Sequence, residues 1–162
     1  MKDNIGWING QWGSINELQL PLSNRGLQLA DGIFETVFIY QGKPKLLSKH
    51  LNRWRRGASL LGMELPPNKA WLQPLINGAI ERVGLENKNG FLRLNWSRGE
   101  SSNRGITIEA TKGKSSKSRF WLEINYLEPK FNPISVIISK TERRNSHSIL
   151  SQCKTFAYGP SI

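Results

Sequence analysis

The sequence predicts an α+β fold, in which a strand-rich domain with two helices precedes the beginning of a second unit. Three observations support this: runs dense in β-branched and aromatic residues, stretches with apolar residues at helical spacing, and the proline-bounded segment EPKFNP. The first domain is predicted over 1–127. Residues 128–162 are predicted to be a linker and an incomplete start of a second domain, because they hold too little apolar surface for a core.

Strands are predicted where β-branched and aromatic residues are concentrated. The Asn9-Gly10 dipeptide in GWINGQW predicts a two-residue hairpin turn. LPLSNRGLQLADG is rich in turn formers and is predicted to be a loop. The strand IFETVFIY (33–40) is followed by the turn dipeptide Gln41-Gly42 and a second strand around Lys45–Leu47. Further strands are predicted over 90–97, 119–127 and 134–140.

Helices are predicted where apolar residues recur on one helical stripe. The first helix follows Ser48, a predicted N-cap, and its stripe consists of Leu51, Trp54, Ala58 and Leu61. Pro66-Pro67 ends this stretch, and Asn68 is predicted to cap a second helix. Near the end of the chain, Lys154 is expected to open a third helix.

Composition and charge narrow the class of protein. The 162 residues are 38% hydrophobic, which is typical of a globular protein rather than a disordered one. The net charge of +11 indicates an anionic partner, such as nucleic acid, a phosphorylated cofactor or a carboxylate, or else a solubilising surface. Nucleic acid stays open but is not favoured, because no RNA-recognition or zinc-finger signature accompanies the charge.

Hydropathy and cysteine content indicate the cellular compartment of the protein. No apolar run approaches the ~18–20 residues of a membrane span, and MKDNIGWING has no apolar signal-peptide core. Cys153 is the single cysteine, so no internal disulfide can form. We therefore predict a cytoplasmic protein with no membrane association.

The sequence contains few motifs typical of catalytic, metal-binding or nucleotide-binding sites. His50 and His147 lack cysteine or carboxylate partners at ligand spacing, so no metal site is predicted. Walker and dinucleotide fingerprints are absent. Lys154 stands out because it lies among small and apolar residues in SQCKTFAY. A deprotonated lysine is a nucleophile that forms Schiff bases, although a solvated surface lysine fits the same pattern.

Three stretches carry a family resemblance: SNRGLQLADGIFETVFIYQGKPKLLSKHLNRW, LRLNWSRGESSNRG and RRNSHSILSQCKTFAY. In order and spacing they resemble the class IV aminotransferases, the fold-type IV enzymes that use pyridoxal 5′-phosphate (PLP). The resemblance implies a two-layer N-terminal α/β domain followed by a barrel-like domain, and a homodimer. DGIFET and the SRG…RG pattern look closest to the 4-amino-4-deoxychorismate lyase branch. Branched-chain and D-amino-acid aminotransferases remain alternatives.

The resemblance also implies roles for individual residues. Lys154 matches the catalytic lysine that forms a Schiff base with PLP, and Arg53 matches the arginine that binds the cofactor phosphate. Tyr158 matches a tyrosine near the cofactor, although a core-packing role stays open for it. The implied substrate-side residues are Phe34, Glu35, Thr36, Arg98 and Arg104. Arg53 as a surface arginine, and Arg98 and Arg104 as loop charges, are the simpler alternatives.

Two features depart from the family pattern. Ala157 stands where an asparagine is usual, and family members are much longer, so we expect the chain to be truncated. The missing part would carry the glutamate that holds the pyridine nitrogen of PLP. The implied function is cleavage of aminodeoxychorismate to 4-aminobenzoate and pyruvate, or transamination of an amino substrate. We expect little or no activity from these residues alone, and a non-catalytic basic binding or assembly module is the remaining alternative.

Overall fold

A computed structural model describes residues 4–101, 118–141, 143 and 145–157. A six-stranded antiparallel sheet lies under two longer helices, in the order β2-β1-β6-β5-β3-β4. The strands are β1 Asn4–Ile8, β2 Gln11–Ser14, β3 Gly32–Tyr40, β4 Lys43–Pro44, β5 Gly90–Ser97 and β6 Arg119–Tyr126. The helices are α1 Arg25–Leu29, α2 Leu47–Leu60, α3 Lys69–Val83 and α4 Ile149–Gln152. This arrangement confirms the predicted α+β class.

The two predicted hairpin turns are confirmed by their backbone geometry. Asn9 and Gly10 have φ values of 52° and 84°, and Gln41 and Gly42 have φ values of 47° and 72°. Positive φ at both central residues is what a two-residue hairpin of this twist requires. The strand after the second turn is displaced, however. It is β4 (Lys43–Pro44) rather than Lys45–Leu47.

The start of α2 also differs from the prediction. Leu46, with φ 51° in the left-handed region, is the N-cap residue, and it makes no side-chain capping bond. Ser48 therefore lies inside the helix and is not its cap. The sharp turn at Leu46 ends β4 early and aims the helix back across the sheet, which a local cap signal does not reveal.

The apolar stripe of α2 and the predicted Asn68 cap are confirmed. Leu51, Trp54 and Ala58 of α2 are buried, and Leu61 packs against the same core. The Asn68 side chain accepts a hydrogen bond from the Trp71 amide (2.9 Å) and so caps α3. The stretch predicted as the loop LPLSNRGLQLADG contains the short helix α1, which begins after Asn24.

Strand alternation gives the sheet two different faces. The helix-facing side carries the apolar core with α2 and α3, including Val37, Ile39, Leu92, Leu94, Leu122 and Ile124. The opposite side, which we call the open face, presents a mixed set of side chains. Its central members are Phe34, Thr36, Arg93, Asn95, Trp121 and Glu123.

The C-terminal part differs most from expectation. Residues 134–140, predicted as a strand, form none, and Ile137 and Ile138 are 95% and 92% exposed. No neighbouring strand among the described residues pairs with them, so their backbone hydrogen bonds have no ladder to join. The proposed boundary at residue 128 stays a prediction. Among the helices described, none is both long and apolar enough to cross a membrane.

Lys154 does not open a helix, because α4 ends before it. Residues 154–156 are extended and lie along the free edge of β3. The Phe34 amide donates to the Lys154 carbonyl (2.9 Å), and the Phe156 amide donates to the Gly32 carbonyl (3.0 Å). An antiparallel bridge joins Ile33 and Thr155 between these bonds. The sheet edge, rather than local helix propensity, therefore sets the backbone of Lys154.

The packing of α3 against the sheet makes a stability prediction. Leu72 is fully buried, whereas Leu22 is 81% exposed. We expect Leu72→Ala to lower the free energy of unfolding by about 2–5 kcal/mol, because it leaves a cavity. Leu22→Ala should change it by less than about 0.5 kcal/mol. Urea unfolding of both variants measures this, and equal effects would contradict the described core.

Candidate active site

Lys154 is held at the sheet edge with its amine beside an aromatic ring. Its Nζ lies 4.7 Å from the centre of the Phe34 ring. The residue before it, Cys153, is buried and contacts the Gly57 carbonyl of α2 through its Sγ (3.8 Å). Lys154 is half-buried. Backbone bonds on one side and the Cys153 contact on the other therefore fix where the amine can reach.

The Cys153 thiol is a packing group here. Burial raises the pKa of Cys153, and the guanidinium of Arg56 opposes this with a smaller lowering effect. A raised pKa keeps the neutral thiol favoured in the folded chain. Its contribution to stability is therefore present below the ordinary thiol pKa and is lost as pH rises through the higher folded value.

Arg53 is clamped by a buried carboxylate. Its Nε donates to Glu35 Oε1 and its Nη2 donates to Glu35 Oε2, both at 2.6 Å. His50, one helical turn earlier, places its Nδ1 2.8 Å from Glu35 Oε2. The Glu35 side chain is 0% exposed, while that of Arg53 is 55% exposed. The bidentate pair thus fixes the plane of a guanidinium whose side chain still reaches solvent.

Lys154 and Arg53 line the same narrow cleft, although they are far apart in the sequence. The cleft lies where β3 meets α2 and the 154–156 segment. Its walls are formed by Ile33, Phe34, Glu35, Arg53, Trp54, Gly57 and Lys154. An amine nucleophile and an oriented guanidinium therefore line one cleft at the edge of β3.

The strand predicted to border a substrate pocket is divided between two faces. Phe34 and Thr36 lie on the open face, and Glu35 lies on the helix-facing side against α2. This follows from the two-residue alternation of β3. Glu35 therefore contacts Arg53 and His50, while its neighbours face the open side. The predicted substrate contacts of all three stay predictions.

Arg93 and His50 contact residues of the cleft but were not predicted from the sequence. The Arg93 guanidinium stacks 3.7 Å from the centre of the Phe34 ring, and its Nε donates to Asn95 Oδ1 (3.0 Å). Its Nε also lies 3.5 Å from a Glu123 carboxylate oxygen. The Phe34 ring therefore contacts both the Lys154 amine and the Arg93 guanidinium. The contact between Arg93 and Phe34 could have been predicted only from the register of β3 with β5.

Arg98 serves a structural role in this fold. Its Nε donates to both Asp31 oxygens (3.2 and 3.0 Å). Its remaining nitrogens donate to the carbonyls of Gly62 (2.9 Å) and Leu61 (3.0 Å). These bonds tie the loop after β5 to the end of α2, and the predicted substrate contact of Arg98 stays a prediction. Arg104 and Tyr158, also predicted as site residues, lie outside the described residues.

The described residues contain no group of three or more His, Cys, Asp or Glu side chains placed to hold a metal ion.

Comparison with known families identifies the class of protein. Residues 32–162 match the family described as Amino-transferase class IV, which is most of the chain. The chain belongs to this family. The match includes β3, α2 and the 154–156 segment, so the cleft lies within the family region.

Individual relatives add detail. A D-alanine aminotransferase from Staphylococcus haemolyticus is 25% identical over 138 residues, covering 85% of this chain. The chain spans only 42% of that protein's length. Similarity to an aminotransferase from Brucella abortus bound to PLP (16% identity, TM-score 0.70) covers 94% of this chain and 52% of that one. A 4-amino-4-deoxychorismate lyase from Pseudomonas aeruginosa is 25% identical with a TM-score of 0.54, covering 79% and 41%.

The residues of the cleft fit the phosphorylated aldehyde that the family implies. Lys154 supplies an amine, the one side chain type here that condenses with an aldehyde. Arg53 supplies a planar guanidinium, already oriented by Glu35, that suits a phosphate. Both residues line the same narrow cleft.

A double-mutant cycle tests the clamp. Arg53→Gln leaves the Glu35 carboxylate buried with His50 as its partner, and we expect it to cost about 3 kcal/mol of folding free energy. Glu35→Gln leaves a guanidinium that water solvates, and should cost about 1–2 kcal/mol. The double variant should cost less than the sum, with a coupling of about 1–3 kcal/mol by urea unfolding. Additive effects would contradict the described pair.

Proposed function

We propose that the chain is the cofactor-binding portion of a PLP-dependent enzyme that acts on the amino group of a small substrate. One observation carries this proposal: Lys154 and Arg53 line a single cleft. Lys154 would hold the cofactor covalently through its amine, and Arg53 would bind the cofactor phosphate. Tyr158 is proposed as a further cofactor neighbour on the resemblance alone.

PLP supplies an electron sink that acidifies the carbon bearing the substrate amine. Lys154 would then act as the base that takes that carbon's proton, because its backbone is fixed beside Phe34. Arg93, stacked on the same ring, is placed to hold a substrate carboxylate, and Glu35 would act only through Arg53. Phe34 and Thr36 would form the substrate-side wall, as their position on the open face supports.

A 4-amino-4-deoxychorismate lyase activity is the first candidate. The DGIFET stretch supports it, and so does the similarity to the Pseudomonas aeruginosa lyase. In this reaction, Lys154 would remove a proton from the ring carbon that bears the amine. The ether bond to the three-carbon group breaks, and a proton is delivered to that group. Pyruvate then leaves, and aromatic 4-aminobenzoate remains.

Transamination of a D-amino acid is the second candidate. The similarity to D-alanine aminotransferases supports it. Lys154 would serve as the base here as well, and the bound cofactor would supply the acceptor for the amino group, while water would supply the oxygen of the keto acid that leaves. Because the chain spans less than half of that relative's length, activity, a homodimer and a cytoplasmic location are proposed for the whole protein.

Trapping of the cofactor tests the proposal. Purified chain is incubated with PLP, reduced with borohydride and mapped by peptide mass. We expect a pyridoxyl adduct on Lys154 that disappears in Lys154→Ala, because the free amine forms the reducible bond. Arg53→Gln should need roughly tenfold more PLP for the same yield, since it loses a charge-assisted phosphate contact.

Lys88→Ala provides a matched control, since Lys88 is exposed and lies outside the cleft. This variant should leave the Lys154 adduct unchanged. Adducts spread evenly over surface lysines, with no dependence on Lys154 or Arg53, would overturn the proposed function.

A further inference from the structure

Asn95 occupies a central place on the open face. The strand register puts it between Phe34 of β3 and Trp121 of β6 in one row across three strands. Phe156 packs against both flanking rings, with centroid distances of 6.3 Å to Phe34 and 5.6 Å to Trp121. Asn95, in the row between these two rings, is buried with 2% exposure.

The orientation of the Asn95 amide is determined by its neighbour. Arg93 has only donors, so the Asn95 atom that it contacts at 3.0 Å must be the acceptor Oδ1. The other atom of the amide is then the donor nitrogen, Nδ2. Within the described part of the chain, this buried Nδ2 has no hydrogen-bond partner.

A buried amide donor without a partner is unfavourable, because folding removes the water that would satisfy it. The same side chain lines a cavity of about 310 Å³ on the open face. Its lining includes the apolar side chains of Leu20, Leu27, Trp121 and Phe156, together with the Arg93 guanidinium. Such a cavity, largely apolar with few polar groups, is typical of a site for a small organic molecule.

We propose that Asn95 is a specificity-determining residue whose Nδ2 donates to an oxygen of a ring-bearing amino substrate. The substrate ring lies against Trp121 and Phe156, and its oxygen acceptor is a hydroxyl, ether or carboxylate oxygen. A substrate as small as alanine has no ring to fill this space and no second oxygen group to reach the amide.

The position of the cavity connects it to the proposed chemistry. Arg93 lines it and stacks on Phe34, and the Lys154 amine lies over the same ring. Glu123 also lines the cavity, and its carboxylate lies 3.5 Å from Arg93 Nε. The inference rests on the proposed function, because the ring-bearing molecule is taken to be the amino substrate of Lys154.

The test is an NMR titration of the 162-residue chain with 4-hydroxybenzoate and, separately, with D-alanine. We expect 4-hydroxybenzoate to bind at least tenfold more tightly and to shift the side-chain amide signal of Asn95. Asn95→Leu should weaken 4-hydroxybenzoate binding about tenfold and raise the melting temperature by about 2–4 °C, since it removes an unpaired donor. Asn95→Asp, which keeps the acceptor for Arg93, should lose the same affinity.

Asn125→Leu is the matched control, because Asn125 lies on the neighbouring strand outside this cavity. It should leave 4-hydroxybenzoate binding unchanged. Equal affinity for the two ligands, or wild-type affinity in both Asn95 variants, would overturn the inference. The borohydride adduct on Lys154 is measured in the same samples. If the adduct forms while Asn95 has no effect, only this inference fails, whereas loss of the adduct in the wild-type chain removes the proposed function.

Discussion

The site depends on two backbone hydrogen bonds that attach residues 154–156 to the free edge of β3. Strand β4 covers only the far end of β3, which leaves the Gly32–Phe34 edge available for pairing. A side chain at Gly32 would collide with the Phe156 ring, so glycine permits this close approach. Without this docking, neither the Lys154 amine nor Phe156 would have a defined place beside the sheet.

Consecutive side chains of β3 point to opposite faces of the sheet, and this separates two groups of site residues. Glu35 turns toward α2 and holds Arg53, while Phe34 turns to the open face and carries Lys154 and Arg93 on its ring. Consecutive residues thus organise the proposed phosphate side and the proposed substrate side. Burying a carboxylate is costly unless it is paired, so the bidentate contact from Arg53 is needed by the fold as well as by the site.

The sequence predicted those elements whose signals are local. The Asn9-Gly10 turn, the α2 stripe and the Asn68 cap depend on residues close in the chain, and each is confirmed. The predicted strand over 134–140 is wrong. A strand needs a neighbouring strand to pair with, and composition does not show whether one is present. Lys154 was identified by resemblance, but its extended backbone and the Arg93 contact arise from long-range pairing that local patterns do not encode.

Amide hydrogen exchange at Phe34 tests the docking of the 154–156 segment most directly. The Phe34 amide donates to the Lys154 carbonyl, so its protection reports on this contact. If the segment docks, the Phe34 and Phe156 amides exchange as slowly as those in the β3–β5 pairing. If both exchange as fast as the amides of residues 134–138, the segment does not dock, and Lys154 and Arg53 do not share a cleft.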